Sequence, residues 1–159
     1  MARFAFAIGA SIKTHVSMFK KMNNDTDYSD EEQANIALVR THIEGFAEHD
    51  IERSLSVVSE DVVDEDFGEP PKHGRGELEE EIRGYLDSFP DLKWHIDNIF
   101  AHGDEVLVEI SGIGTRSTTA IDGGEPGTRV QFWVASVEHV HEGKIDRMRA
   151  YIVQEELDK

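Results

Sequence analysis

Apolar positions recur at helical spacing through the first half of the chain and in alternation through the second; the switch falls at Phe89-Pro90-Asp91-Leu92. Pro90 lacks the N–H needed to continue a helix, and Leu92, Trp94 and Ile96 alternate with polar residues directly after it. Upstream, Ser29 followed by Asp30, Glu31 and Glu32 has the form of a helix start. Ile36, Val39, Ile43, Phe46 and Ala47 then fall on one face of a helix that His49-Asp50 breaks. A short helix from about Ile51 to Val58, burying Leu55 and Val58, and a strand Asp61-Val62-Val63-Asp64 should follow. After Gly74-Arg75-Gly76 the stripe Leu78, Ile82, Tyr85, Leu86, Phe89 predicts a third helix.

The second half reads as four strands: Leu92 to Phe100, Glu105 to about Thr118, Arg129 to His141, and Lys144 to about Gln154. Their breaks are His102-Gly103-Asp104, the cluster from Asp122 to Gly127, and Glu142-Gly143. Three helices followed by an antiparallel meander is an α+β pattern, with the helices segregated to one face of a curved sheet. Gly112 and Gly114, inside the second long strand, suggest strong curvature or a bulge.

With 159 residues the chain is expected to hold one core domain, residues 29–159, behind an extension over residues 1–28. That extension carries Arg3, Lys13, Lys20 and Lys21 and no acid up to residue 24. It reads either as a basic amphipathic arm built on Phe4, Ile8, Ile12 and Phe19, or as a loosely attached segment. All 33 acidic residues lie beyond residue 24, and the whole chain has a net charge of −17. Such a surface repels nucleic acid and anionic lipid, and is that of a chain solvated at high salt or one that steers cations. Cysteine is absent, so disulfides, thiolate metal sites and a Cys nucleophile are excluded. No apolar run approaches the roughly 20 residues of a membrane span, and a cytoplasmic location is expected.

From about Asn35 to Leu157 the chain resembles the SnoaL-like polyketide cyclases and ester cyclases, of the cone-shaped superfamily that also holds ketosteroid isomerases and nuclear transport factor two. The resemblance rests on Phe46…His49-Asp50, Asp61-Val62-Val63-Asp64-Glu65-Asp66, Phe89-Pro90-Asp91-Leu92, His102-Gly103-Asp104, Gly114-Thr115, Gly127-Thr128-Arg129-Val130 and Gly143-Lys144-Ile145. It implies three helices in the concave side of a mixed sheet of four to six strands, and a homodimer formed through the outer sheet face at Trp133, Ala135 and Val137. It further implies ring closure by aldol condensation without cofactor or metal, using a His after the first strand and an Asp in the last. Those positions align with Glu65 and Ala150, and Ala has no proton to exchange.

Proton abstraction beside a carbonyl needs a base within hydrogen-bond reach, its pKa raised toward neutrality by apolar walls. Alternation places Met148, Ala150 and Ile152 on one face of the last strand, and Phe132, Val134, Ser136, Glu138 and Val140 on one face of the strand before it. Glu138 stands out as a carboxylate in an apolar row, either a general base or a wet strand end. Glu65, with Asp66, is a second acid–base candidate or a continuation of the acidic surface. Tyr85, Trp94 and Phe132 either stack on a flat ligand or pack the core, and with Ser136, Met148, Ala150 and Ile152 they complete the expected lining. His139 and His141 share a face, but a metal would need a third ligand such as His95 or Asp97, and none is expected to bind. The expected occupant is a small apolar oxygenated molecule, turned over by acid–base chemistry or held by a non-catalytic module. A cavity of about 300 Å³ or more holding Glu65 or Glu138 would favour the enzyme.

Overall fold

The computed structural model describes residues 28–120 and 123–157. The basic extension, and the choice between an arm and a loose segment, lie almost wholly outside the described residues. Helices α1 (Asp30–Ala47), α2 (Ile51–Leu55) and α3 (Arg75–Ser88) pack on one side of a sheet. Its strands are β1 (Val58–Asp66), β2 (Lys72–His73), β3 (Lys93–His102), β4 (Glu105–Thr115), β5 (Arg129–His141) and β6 (Lys144–Glu156), in the order β2-β1-β6-β5-β4-β3. Only β1 and β6 run parallel. This is the expected α+β cone.

The local signals explain each element. Ser29 and Glu32 form a reciprocal capping box: the Ser29 hydroxyl accepts from the Glu32 N–H (3.2 Å), and the Glu32 carboxylate accepts from the Ser29 N–H (2.9 Å). Glu32 also accepts from the Gly103 N–H, and Asn35 donates to the Gly103 carbonyl, so the start of α1 is tied to the β3–β4 turn. Val39, Ile43, Leu78 and Ile82 are buried against Val106, Val108, Ile110 and Met148 of the sheet. The second helix is shorter than the expected span to Val58. It ends at Leu55, and Val58 already begins β1, paired with Ile145 of β6. The second long strand likewise stops at Thr115, whose N–H and hydroxyl both bond the Asp91 carboxylate.

Curvature does not come from bulges at the glycines. The register of β4 against β5 is unbroken through Gly112 and Gly114. Breaks occur instead between Ile96 and Asn98, between His139 and Val140, and along β1. Gly112 is required for a different reason: a Cβ there would lie 2.4 Å from Trp94 Cε3, so the indole can lie flat on β4 only where a side chain is missing. Trp94 in turn packs against Phe46 and Phe132, at 5.9 and 5.6 Å between ring centroids.

Candidate active site

A cavity of about 110 Å³ opens between α1, α3 and the concave face of the sheet. Its walls are mostly apolar, with Ile43, Phe46, Leu78 and Ile82 from the helices and Trp94, Ile110, Val134 and Met148 from the sheet. Ile152, 37% exposed, marks its mouth. The cavity is smaller than the roughly 300 Å³ that would favour the enzyme, with Trp94 and Phe46 packed together in its wall.

Four carboxyl groups line this space: Asp64 and Asp66 from β1, Glu81 from α3 and Glu138 from β5. Glu138 is 1% exposed. One of its oxygens takes a hydrogen bond from the Ser136 hydroxyl, while Oε2 is buried with no partner among the described residues. Burial, and then the nearby charge of Asp64, push the Glu138 carboxyl up to about 8. On the opposite wall Lys72 Nζ lies 2.6 Å from Glu81 Oε1 and 3.2 Å from Asp66 Oδ2. Glu81 is raised to about 8 by burial and by a hydrogen bond shared with Asp64, whose own pKa is also raised by burial. The direction of the shared hydrogen bond, which raises Glu81 and lowers Asp64, puts the retained proton on Glu81, donated to the Asp64 carboxylate. Burial alone would lower the Lys72 ammonium, but its bonds to Glu81 and Asp66 outweigh this and raise it. Tyr85 beside them is pushed up to about 12 by burial and the charge of Asp66, and remains a donor. His42 also lines the cavity; burial lowers its pKa, and its Nδ1 donates to the Ser54 carbonyl (3.1 Å).

Of the residues expected from sequence, Asp66, Glu138, Tyr85, Trp94, Ser136, Met148, Ala150 and Ile152 all border the cavity. Phe132 does not. It is 1% exposed in a cluster with Phe89, Leu92 and Val130, behind Trp94. Glu65 is on the other face of β1, opposite Arg149, where its carboxylate accepts from Arg147 Nε (3.1 Å). The alternation that turns Asp64 and Asp66 inward necessarily turns Glu65 outward. His139 and His141 stack on the outer face, His139 bonding Asp146 at 2.6 Å. His95 is far from them: it pairs with Ser111, whereas His139 pairs with Glu105 at the other end of β4.

Asp64, Glu81 and Lys72 escaped the sequence reading, although two left a signal. Val62 is buried, so residues 64 and 66 share its face. Leu78, Glu81, Ile82 and Tyr85 have the i, i+3, i+4, i+7 spacing of a single helical stripe, which puts Glu81 inside. Lys72 left none, since β2 is only two residues long. Asp64, Asp66 and Glu81 offer ligand atoms within 4.8 Å of one another, a spacing a metal ion could bridge, but the Lys72 ammonium already supplies their counter-charge.

The raised carboxyls set a pH dependence. Glu138 and Glu81 titrate near 8 in the folded chain, against an ordinary value of 4.5. Their contribution to stability is fully present below about 4.5 and is lost as the pH rises through about 8. Denaturant unfolding at a series of pH values is expected to show this decline. In Glu138→Gln it should flatten by on the order of 3 kcal/mol. Parallel wild-type and variant profiles would contradict the assignment.

A family profile described as the SnoaL-like domain matches residues 39–148. No curated protein sequence matches the chain. Among solved structures, a proposed SnoaL-like polyketide cyclase from Jannaschia sp. CCS1 is 19% identical with a TM-score of 0.72, covering 80% of this chain and 90% of its own. An LEH-like epoxide hydrolase of M. tuberculosis is 23% identical at a TM-score of 0.61, covering 77% and 85%. An NTF2-like protein from Burkholderia xenovorans LB400 is 18% identical at 0.62, covering 79% and 93%. These likenesses establish the fold, and the profile spans more than half the sequence, so the chain belongs to the SnoaL-like domain family.

Proposed function

We propose that the protein is a cofactor-independent acid–base catalyst acting on a small apolar carbonyl compound, of cyclase or isomerase type. The observation that carries this reading is Glu138: a buried carboxyl with one unpartnered oxygen, in an apolar cavity whose opposite wall holds further carboxylates. Kept neutral near pH 7, Glu138 donates its proton to the substrate's carbonyl oxygen. Asp64 takes the proton from the adjacent carbon, its basicity raised by burial. Asp66 and Lys72 hold the charge of that wall steady. The resulting enol either recovers a proton at another carbon or attacks a second carbonyl. Asp66 faces Ala150 across the β1–β6 ladder, so an acid next to the alignment position of the family Asp is retained from the neighbouring strand.

The loss of the family's His and Asp at Glu65 and Ala150, together with the small cavity, favours a second reading, a non-catalytic binding module. Deuterium incorporation beside the carbonyl of cyclohexanone or cyclohexenone in D₂O, followed by NMR, separates the two. Enzyme-dependent exchange is expected, falling by roughly 100-fold or more in Glu138→Gln. Glu65→Gln, on the other face, should leave the rate as it is. Absence of exchange above buffer with every ketone would favour the binding module.

A second copy of the chain is the proposed partner of the outer sheet face. Trp133, Tyr151 and Val153 are 43%, 44% and 61% exposed, and Trp133 sits opposite Val153 in the β5–β6 ladder. A contiguous apolar surface of this kind is costly in water unless covered. Light scattering coupled to gel filtration is expected to give a dimer for the wild type and a folded monomer for Trp133→Glu. A monomeric wild type would sink the proposal.

A further inference from the structure

The cavity's charge inventory is unbalanced. Asp64, Asp66, Glu81 and Glu138 face it from three separate elements, and no Lys or Arg is among the residues that line it. Lys72, reaching Asp66 and Glu81 from the side, is the cation bonded to the group. Carboxylates removed from water need a counter-charge or a proton, and here part of the requirement is met by protons. Such a proton occupies the place that a cation could take.

An independent observation points the same way. Glu138 stands on β5, across the cavity from α3, and its Oε2 is buried without a hydrogen-bond partner among the described residues. Buried carboxyl oxygens are almost always satisfied, so an orphan on a cavity wall awaits a partner from the cavity's occupant. The remaining walls describe that occupant's body. Phe46, Tyr85 and Trp94 form an aromatic end, with Phe46 edge-on to both neighbours, and Ile82, Ile110 and Val134 are aliphatic. A divalent metal does not suit these walls. It would require several oxygens plus its own water, and the space between Asp66 and Glu81 already receives the Lys72 ammonium.

We propose that the ligand of this cavity carries a protonated amine on a compact apolar body, with the ammonium donating to Glu138 Oε2 and facing Asp64. This rests on the acid–base reading above and narrows its substrate class to carbonyl compounds bearing a basic nitrogen. The aromatic end adds attraction for a cation lying over a ring face. A volume of about 110 Å³ is below the roughly 150 Å³ of an engineered cavity that holds benzene, so the space encloses the ammonium and part of one small ring, and the remainder lies at the mouth beside Ile152. Binding transfers the Glu138 proton to solvent, and the new ion pair then forms out of water. The other titratable groups facing this space are Asp64, Asp66, Glu81, Tyr85 and His42, with Lys72 behind them.

Isothermal titration of the full chain with benzylamine and with the near-isosteric benzyl alcohol tests this directly. Benzylamine is expected to bind roughly tenfold or more tightly than the alcohol, the size of effect a charge-assisted hydrogen bond gives in a desolvated site. Its binding should release protons, seen as a heat that varies with buffer ionisation enthalpy. In Glu138→Gln, which matches the neutral acid in shape, the preference should vanish while benzyl alcohol binding persists; Asp64→Asn should weaken the preference in the same direction. Equal or tighter binding of the alcohol by the wild type would overturn the proposal. So would a preference for Mg²⁺ or Ca²⁺ alone that is lost in Glu138→Gln. Ketone exchange without amine preference would remove this inference and leave the catalytic reading standing, whereas amine preference without exchange would do the reverse.

Discussion

A carboxyl group leaves water only with a counter-charge or a proton, and four of them do so on the concave face of this protein. The site's chemistry follows from how that requirement is met on each wall. Beside α3, Lys72 neutralises part of the charge and Glu81 keeps a proton that it donates to Asp64. On β5, Glu138 has no cation within bonding distance among the described residues and remains neutral, bonded to the Ser136 hydroxyl. Two environments a few side chains apart therefore hold carboxyls in different states, as division of labour between an acid and a base requires.

The scaffold makes this arrangement affordable. The capping box and the Glu32 and Asn35 bonds to Gly103 fix α1 to the β3–β4 turn. Gly45 lets α2 approach closely, since a Cβ there would lie 2.5 Å from the Ser54 nitrogen. Missing side-chain volume at Gly112 admits Trp94, which closes one end of the cone and keeps the cavity small. Breaks in register fall away from the glycines, and alternation along β1 turns Asp64 and Asp66 toward the cavity. Relative to the His and the Asp that the family resemblance implies at Glu65 and Ala150, the carboxyls here are displaced by one residue on β1 and by one strand on the sheet.

Most of the fold was legible because alternation and helical spacing are properties of single residues along the chain. The row Phe132, Val134, Ser136, Glu138, Val140 and the row Met148, Ala150, Ile152 could be assigned to a face from sequence alone, and Glu138 emerged from that as the odd residue. For Glu65 the motif leaves open an acid–base role or a place on the acidic surface; strand parity counted from Val62 puts it on the outer face. Glu81 was hidden by its charge in a helix read for apolar residues only. Lys72 depends on a two-residue strand pairing back onto β1, a tertiary event with no local pattern. Phe132 was placed on the right face, but whether a side chain borders a void or lies behind another depends on the size of its neighbour, here Trp94.

The central claim is that Glu138 is a neutral carboxylic acid near pH 7. Infrared difference spectroscopy of the wild type against Glu138→Gln at pH 7 reads this without any ligand. The account predicts a protonated carboxyl C=O band in the wild type that is absent from the variant, and that disappears as the pH is raised through about 8. A carboxylate band from Glu138 at pH 7, titrating near the ordinary 4.5, would contradict it.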